Sequence, residues 1–362
     1  MREATNMIKK KNRNIVILII IILTGTFSLV LAQEPYRQGT TAANFLEIGY
    51  GSAGTAMGDA YVSIANDISS AYWNPAGLAY MDKREAFFNY QPWLLDINAI
   101  CLAAGMPLGN IGTFAINFIQ MDYGTNEVTT MDMQDGTGEL FNASDYAIGL
   151  SYARKLAQWF SFGVTGKYVA SQIWQTSASA FAMDLGVIIQ TNFFSPTGNR
   201  EDGMNIGMSM SNFGTKMQYS GKNLLNPIDI LPDEAGNYQD VPGMFKTEGW
   251  ELPLIFRVGV SVHPIATDNH RLTVALDAVH PNNNSESINL GGEYKLTTPI
   301  GWTFFMRGGY KALFMVDSEY GMSFGGGLIM HMMQGKGLKI EYSYREIGLL
   351  GTVHAYNIGL LF

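Results

Sequence analysis

The sequence predicts an all-β fold, a transmembrane outer-membrane β-barrel of about 14 antiparallel strands with an N-terminal plug. Three observations support it: an unusual composition, a long series of alternating segments, and a regular order of short and long connections. Charged residues are 15% of the 362 residues, aromatic residues are 12%, and 40 residues are glycine. Soluble domains carry about a quarter charged residues, so this composition favours a barrel in lipid. Composition alone leaves a soluble all-β protein open.

From about residue 84 onward, apolar and polar residues alternate in short segments. In the stretch 254–263, apolar residues take the even positions, and Arg257, Gly259, Ser261 and His263 take the odd ones. Side chains of a strand point to opposite faces in turn, so each segment predicts a strand with two different faces. The predicted strands are 84–91, 96–106, 111–121, 144–154, 160–171, 180–190, 203–213, 252–263, 270–279, 286–296, 302–310, 320–331, 337–346 and 352–362.

The connections between these strands alternate in length. If the first strand rises from the periplasm, the odd-numbered connections are external and include the two longest, 122–143 and 214–251. The even-numbered connections, such as 107–110, are short, except 191–202. Bacterial barrels have short periplasmic turns and long external loops, whereas a β-sandwich has no reason to follow this parity.

The N-terminus has the pattern of an export signal. Lys9, Lys10, Lys11 and Arg13 precede an apolar run, which ends in small residues at Ala32. We expect a signal peptide over 1–32 that is cleaved, so that the mature protein reaches the outer membrane. The alternative is an uncleaved membrane anchor, for which the run is short.

Several classes of function are disfavoured. A formal charge of −8 argues against nucleic acid. Cys101 has no partner for an internal disulfide and is predicted to lie in a strand as a small apolar residue. The five histidines show no metal-ligand spacing. Charged residues on the inward parity are interpreted as lumen charges: Asp184, Arg257, Arg271, Asp277, Glu293, Lys295, Arg307, Lys339, Glu341 and Arg345.

Two short motifs resemble enzyme sites without the context that such sites need. Gly49–Gly54 matches G-x-G-x-x-G, but no βαβ unit surrounds it. Gly321–Gly325 matches a nucleophile elbow, but it lies inside an alternating strand. We therefore expect a non-enzymatic protein with no catalytic residue, cofactor or metal.

A stretch rich in small residues separates the export signal from the first strand. We predict that residues 33–83 form a plug or hatch and that 84–362 form the barrel. The candidate plug residues are Gly49, Gly54, Gly58, Asp67, Trp73, Asn74, Pro75 and Gly77.

The long connection 214–251 combines acidic and apolar residues. One interpretation is a solvated loop with its own small apolar cluster, and the other is a surface that docks a partner. The candidate docking residues are Leu224, Leu225, Ile230, Asp233, Glu234, Phe245 and Trp250. The last strand places Tyr356, Ile358, Leu360 and Phe362 on one face. An alternating strand that ends in Phe looks like the C-terminal insertion signal of outer-membrane barrels.

The stretch 45–78 resembles the PorV/PorQ family of outer-membrane proteins, which are distant relatives of the FadL fatty-acid transporters. The matching residues are Phe45-Leu46, Ile48-Gly49, Gly54, Met57-Gly58, Ala60-Tyr61-Val62, Asn66-Asp67, Ser69, Ala71 and Tyr72-Trp73-Asn74-Pro75-Ala76-Gly77-Leu78. A second block contains Asp277, His280, Pro281, Asn282 and Glu293. The family often has Asp where this chain has Asn283.

The resemblance implies a 14-stranded barrel with a plug and a part in type IX protein secretion. Its implied partners are outer-membrane lipid, a translocon barrel, the C-terminal signal domains of cargo and a surface attachment complex. The alternative is a FadL-like channel for hydrophobic small molecules such as long-chain fatty acids.

Overall fold

Fourteen antiparallel strands form a closed barrel in the computed structural model, which describes residues 37–95, 97–236, 240–332 and 335–362. They are β1 Glu85–Pro92, β2 Asn98–Pro107, β3 Thr113–Glu127, β4 Leu140–Ala157, β5 Phe160–Ile173, β6 Thr176–Gln190, β7 Asn205–Gly214, β8 Ile255–Ala266, β9 His270–Pro281, β10 Ser287–Thr297, β11 Thr303–Leu313, β12 Tyr320–His331, β13 Gly337–Ile347 and β14 Thr352–Leu361. The sheet closes because β1 pairs with β2 and also with β14. The predicted barrel is confirmed, and the predicted signal peptide lies outside the described residues.

The two faces of the barrel wall differ as the alternation predicts. In β8, Arg257 and His263 point inward and are buried, whereas Phe256 is 44% exposed on the outer face. In β14, the outward set is apolar and about half exposed: Tyr356, Ile358, Leu360 and, after the strand, Phe362. An apolar exterior around a polar lumen is the pattern of a barrel in lipid.

The longest connection, 215–254, is odd-numbered as predicted, but the prediction that the two longest are both odd-numbered is wrong, because the even-numbered connection 191–204 is the second longest. Two odd-numbered connections are shorter than predicted. The connection between β3 and β4 is 128–139, shorter than predicted, because both strands extend upward and pair Glu127 with Leu140. The connection between β5 and β6 is a two-residue turn at 174–175, where the sequence left eight residues outside the predicted strands, 172–179. Trp174 takes a positive φ of 52° there, which its residue type did not suggest.

Between residue 37 and β1, the helices are short: 3-10 turns at Asn44–Glu47 and Pro75–Tyr80, and α-helical turns α1 Ser52–Ala56 and α2 Ser70–Trp73. Among the described residues, none of the helices has the length and apolar character to cross a membrane. Cys101 lies in β2 and is 2% exposed, as a small apolar residue would be.

Residues 37–83, the N-terminal segment, run from one end of the barrel to the other. Near its start, the Ala42 amide donates to the Glu251 carbonyl at the end that carries the long connections, with a distance of 2.9 Å. Near its finish, Lys83 Nζ donates to the Gly335 carbonyl at the short-turn end, at 3.0 Å. Between these points Phe45, Leu46 and many small residues are buried.

The segment approaches the wall so closely that a side chain is excluded at Gly309 of β11. A Cβ there would lie 2.2 Å from the carbonyl carbon of Met57 and 2.5 Å from the amide nitrogen of Gly58. Gly58 itself has a φ of 63° and faces the Tyr310 backbone. Glycine therefore lets two backbones meet without intervening side chains.

We expect Gly309→Ala to loosen this contact, because an added methyl group forces backbone shifts that cost about 1–3 kcal/mol. The midpoint of urea unfolding should fall, and a protease should cleave residues 37–83 faster. Gly308→Ala is the control, since its Cβ would have no neighbour nearer than 3.6 Å. Equal cleavage of the two variants would contradict the close contact.

Candidate functional site

The N-terminal segment carries an unbalanced negative charge. Residues 38–82 contain Glu47, Asp59, Asp67 and Asp82 and no Lys or Arg. Buried carboxylates need a charge partner or several hydrogen bonds, because burial without them is costly. The partners of Asp59 and Asp67 are cations on the inner face of the strands.

Asp59 joins the segment to β11 and β13. One carboxylate oxygen accepts from Arg345, whose side chain is fully buried, and the other lies 2.7 Å from Lys311 Nζ. Arg345 Nη1 also donates to the Ile48 carbonyl at 2.9 Å. One arginine thus holds two separate stretches of the segment.

Asp67 forms the second anchor, nearer the short-turn end. Its carboxylate accepts from Lys339 of β13 and from the Ser69 amide at 3.0 Å. Burial alone would raise the pKa of Asp67, but the Lys339 ammonium outweighs it and lowers that pKa. In β1, the Glu85 carboxylate accepts from the Ile68 amide at 3.2 Å.

The anchor at Lys339 continues along the wall as a charge network. Lys339 Nζ lies 3.6 Å from Glu341, and Arg307 of β11 bridges Glu341 and Glu293, each at 2.7 Å. The Asn357 side-chain amide of β14 donates to Glu341 Oε2, the oxygen that also faces Lys339, at 2.8 Å. These side chains connect four strands, β10, β11, β13 and β14, to the segment.

The second family block does not form a single site. Asp277 is fully buried and accepts the Val62 amide of the segment at 2.9 Å, so it is a third anchor. Glu293 belongs to the charge network, whereas His280 is exposed and lies 3.0 Å from Glu286.

The other two residues of the block lie at the end of β9. Pro281 ends that strand. The Asn282 side chain donates to the Leu252 carbonyl at 3.1 Å, which braces the long connection.

Asn74 organises the sharp turn that follows α2. Its Oδ1 accepts the Ala76 amide at 3.1 Å, and its Nδ2 donates to the carbonyls of Val62 and, in β6, Val187. Pro75 starts the next 3-10 turn, and Gly77 lies against the Ala65 carbonyl. The turn therefore fixes the segment both to itself and to the wall.

The glycine motif at 49–54 provides room for an indole ring. A Cβ at Gly54 would lie 2.5 Å from the Trp73 ring, and Gly49, with a φ of 83°, borders both Trp73 and Asp59. Trp73 is 1% exposed and meets Tyr72 edge-on at 4.9 Å. The motif thus serves packing. In the other motif, Ser323 lies within β12 and donates to the Ala56 carbonyl at 3.1 Å.

The long connection between β7 and β8 projects an exposed hairpin. Two short strands, Leu225–Ile228 and Val241–Met244, pair only with each other. The predicted docking side chains on or beside the hairpin are about half exposed or more: Leu225 51%, Ile230 55%, Phe245 62% and Trp250 47%. Asp233 and Glu234 are exposed near the tip.

Below the hairpin, a cavity of about 520 Å³ opens at the mouth of the barrel. Apolar and aromatic side chains line most of it: Phe141, Ile173, Trp174, Tyr219, Leu224 and Trp250. The structure thus brings Leu224 and Trp250 together, whereas the residues near the tip stay apart from them.

A second cavity, of about 510 Å³, lies at the short-turn end and is strongly polar. Its charged lining includes Asp67, Glu85, Arg271, Glu293, Lys295, Arg307 and Lys339. Across the described ranges, no cluster of three or more His, Cys, Asp or Glu could hold a metal ion.

Sequence reasoning placed Arg345 and Lys339 in the lumen but missed their carboxylate partners. It also missed Lys311 and the bond from Asn283 Nδ2 to Thr41 Oγ1 at 2.9 Å. The sequence contains one signal for these pairs, the absence of any basic residue from 38–82. Carboxylates buried in such a stretch need counter-charges from other parts of the chain.

A family model described as "Type IX secretion system protein PorV" matches residues 31–231. No curated protein matches the chain. Among solved structures, a FadL homologue of Pseudomonas aeruginosa is 12% identical, with a TM-score of 0.52, over 87% of this chain and 98% of its own. The toluene transporter TodX of Pseudomonas putida is 11% identical, with a TM-score of 0.53, over 86% and 97%. The monoaromatic hydrocarbon channel CymD is 10% identical, with a TM-score of 0.53, over 87% and 97%. These likenesses show the barrel fold.

We expect low pH to weaken the Asp67 anchor. A carboxylate whose pKa is lowered by folding stabilises the fold above its ordinary value of 3.8, and that contribution is lost as pH falls through the lower folded value. Protease cleavage of residues 37–83 should rise below about pH 4 in the wild type. Asp67→Asn should be cleaved faster than the wild type at neutral pH, and its cleavage rate should rise less than that of the wild type when the pH is lowered. Asp82→Asn, at an exposed position, should behave as the wild type; a pH response of Asp67→Asn as large as the wild type's would contradict the assignment.

Proposed function

Because this chain belongs to the PorV family of type IX secretion system proteins, we propose that it is a non-enzymatic component of type IX secretion and surface attachment. It is an outer-membrane β-barrel, and in this proposal it reaches the membrane after cleavage of residues 1–32. Its extracellular loops bind cargo signal domains or translocon partners.

The observation that carries the proposal is the exposed hairpin at the mouth. An isolated two-stranded sheet is marginally stable in water, and Leu225 and Phe245 expose large apolar surfaces on and beside it. Such a surface is typical of a protein-binding site rather than of a solvated loop. The acidic residues near its tip, Asp233 and Glu234, favour a partner with basic groups around an apolar centre.

The N-terminal segment acts in this proposal as the plug of the barrel. Three anchors, at Asp59, Asp67 and Asp277, attach it to β9, β11 and β13, and breaking a single buried ion pair such as that of Asp59 with Arg345 costs about 3–5 kcal/mol. A lumen filled in this way supports a binding role at the outer surface.

The second candidate is a FadL-like channel for hydrophobic small molecules. The apolar cavity at the mouth favours it, because its volume and aromatic lining suit a small ligand. The charged cavity at the other end disfavours it, since an apolar molecule that leaves there must pass Lys339, Arg307 and Glu85. Mass spectrometry of lipid bound to the purified protein tests this candidate.

We expect deletion of residues 222–248 to abolish binding of a purified cargo signal domain. The deletion removes the exposed hairpin but leaves Met217 paired with Trp250, so the barrel should still fold. Gel electrophoresis checks this, because the unheated folded barrel and the heat-denatured protein migrate differently. Deletion of 131–135 from the external connection between β3 and β4 is the matched control and should bind normally. If the 222–248 deletion still binds the domain while long-chain lipid co-purifies with the protein, the channel is the better account.

A further inference from the structure

At the base of the long connection between β7 and β8, the main chain of Trp250 and Glu251 forms hydrogen bonds on two sides. On one edge, the Trp250 amide and carbonyl both bond to Met217, each at 2.8 Å. On the other edge, the Glu251 carbonyl accepts the Ala42 amide at 2.9 Å, and Thr41 is the parallel partner of Glu251. Residues 41–42 therefore occupy this edge as a short added strand.

This added strand is weakly held. Among the described residues, its hydrogen bonds to the wall and the loop are the main-chain bond to Glu251 and the side-chain bond from Asn283 to Thr41. Ala42, half-buried, also packs against the apolar cluster that contains Met217 and Leu252. Residues 37–40 are exposed, and full burial starts only at Ala43. One hydrogen bond changes an equilibrium constant by about tenfold, so a competing strand can displace residues 41–42 without moving the anchored part.

We propose that this edge is a strand-exchange site, at which an extended segment of the protein partner pairs with residues 250–252 in place of residues 41–42. This proposal rests on the proposed function. Extended peptides commonly bind by adding to an exposed sheet edge through main-chain hydrogen bonds. The present occupant, Thr41-Ala42, has small side chains, so the partner segment should also be extended and small at this point.

The site is continuous with the hairpin that docks the partner. Thr247 Oγ1 donates to the Tyr219 carbonyl and Gln218 Nε2 to the Thr247 carbonyl, each at 2.7 Å, so the hairpin grows directly from this base. A partner bound to the hairpin thereby brings its neighbouring residues to the Glu251 edge. Exchange would break the Asn283 bond to Thr41 and release the start of the N-terminal segment.

A disulfide that locks the occupant in place tests the proposal. Thr41→Cys with Glu251→Cys joins paired positions, and the native Cys101 is buried, with 2% of its surface exposed. The probe is the purified C-terminal signal domain of a cargo protein from the same organism. The oxidised double variant should bind it about tenfold more weakly than the wild type, and a reductant should restore binding.

The matched control is Glu127→Cys with Leu140→Cys, which locks the last pair of β3 and β4 at the base of another external connection and should bind as the wild type. Each single cysteine variant should bind the domain equally well under oxidising and reducing conditions, because neither can form the lock. If the oxidised Thr41→Cys/Glu251→Cys variant binds as tightly as the wild type, strand exchange is wrong and loop docking stands. If the wild type itself does not bind the domain, docking fails and the exchange site fails with it.

Discussion

The fold depends on one electrostatic match: the stretch 38–82 carries carboxylates and no Lys or Arg, and the inner face of the barrel wall carries the cations that pair with them. Asp59 is buried and the Asp67 side chain is 15% exposed, and Arg345, Lys311 and Lys339 on the wall are their counter-charges. Neither side is stable alone, because an unpaired charge in such a site is costly. The segment and the inner face of the barrel therefore require each other.

Small residues make that match possible. Ion pairs this short need the segment close to the wall, and the contact of Gly58 and Met57 with Gly309 has no room for a side chain. The sharp turn at Asn74 then directs the chain toward β1. Charge thus holds the segment in place, and glycine allows it to come close enough.

The sequence predicted the wall better than the interior. Alternation is local, so the number of strands and the direction of Arg257 or Tyr356 follow from the residues alone. The pairing of Asp59 with Arg345 joins residues far apart in the chain, and no local pattern specifies it. The role of the glycines in 49–54 could not be predicted from the sequence for the same reason. It is evident only from the structure, in which the Trp73 ring lies against Gly54. Trp174 in a positive-φ turn likewise contradicts its usual preference.

Hydrogen–deuterium exchange of the detergent-solubilised protein tests the central claim most directly. If the charge pairs hold the segment in the lumen, the amides of Val62 and Ile68, which donate to Asp277 and Glu85, should exchange as slowly as those of the strands. Arg345→Met should speed exchange across residues 44–82 while β1 to β14 stay protected. Fast exchange of the segment in the wild type would contradict the account.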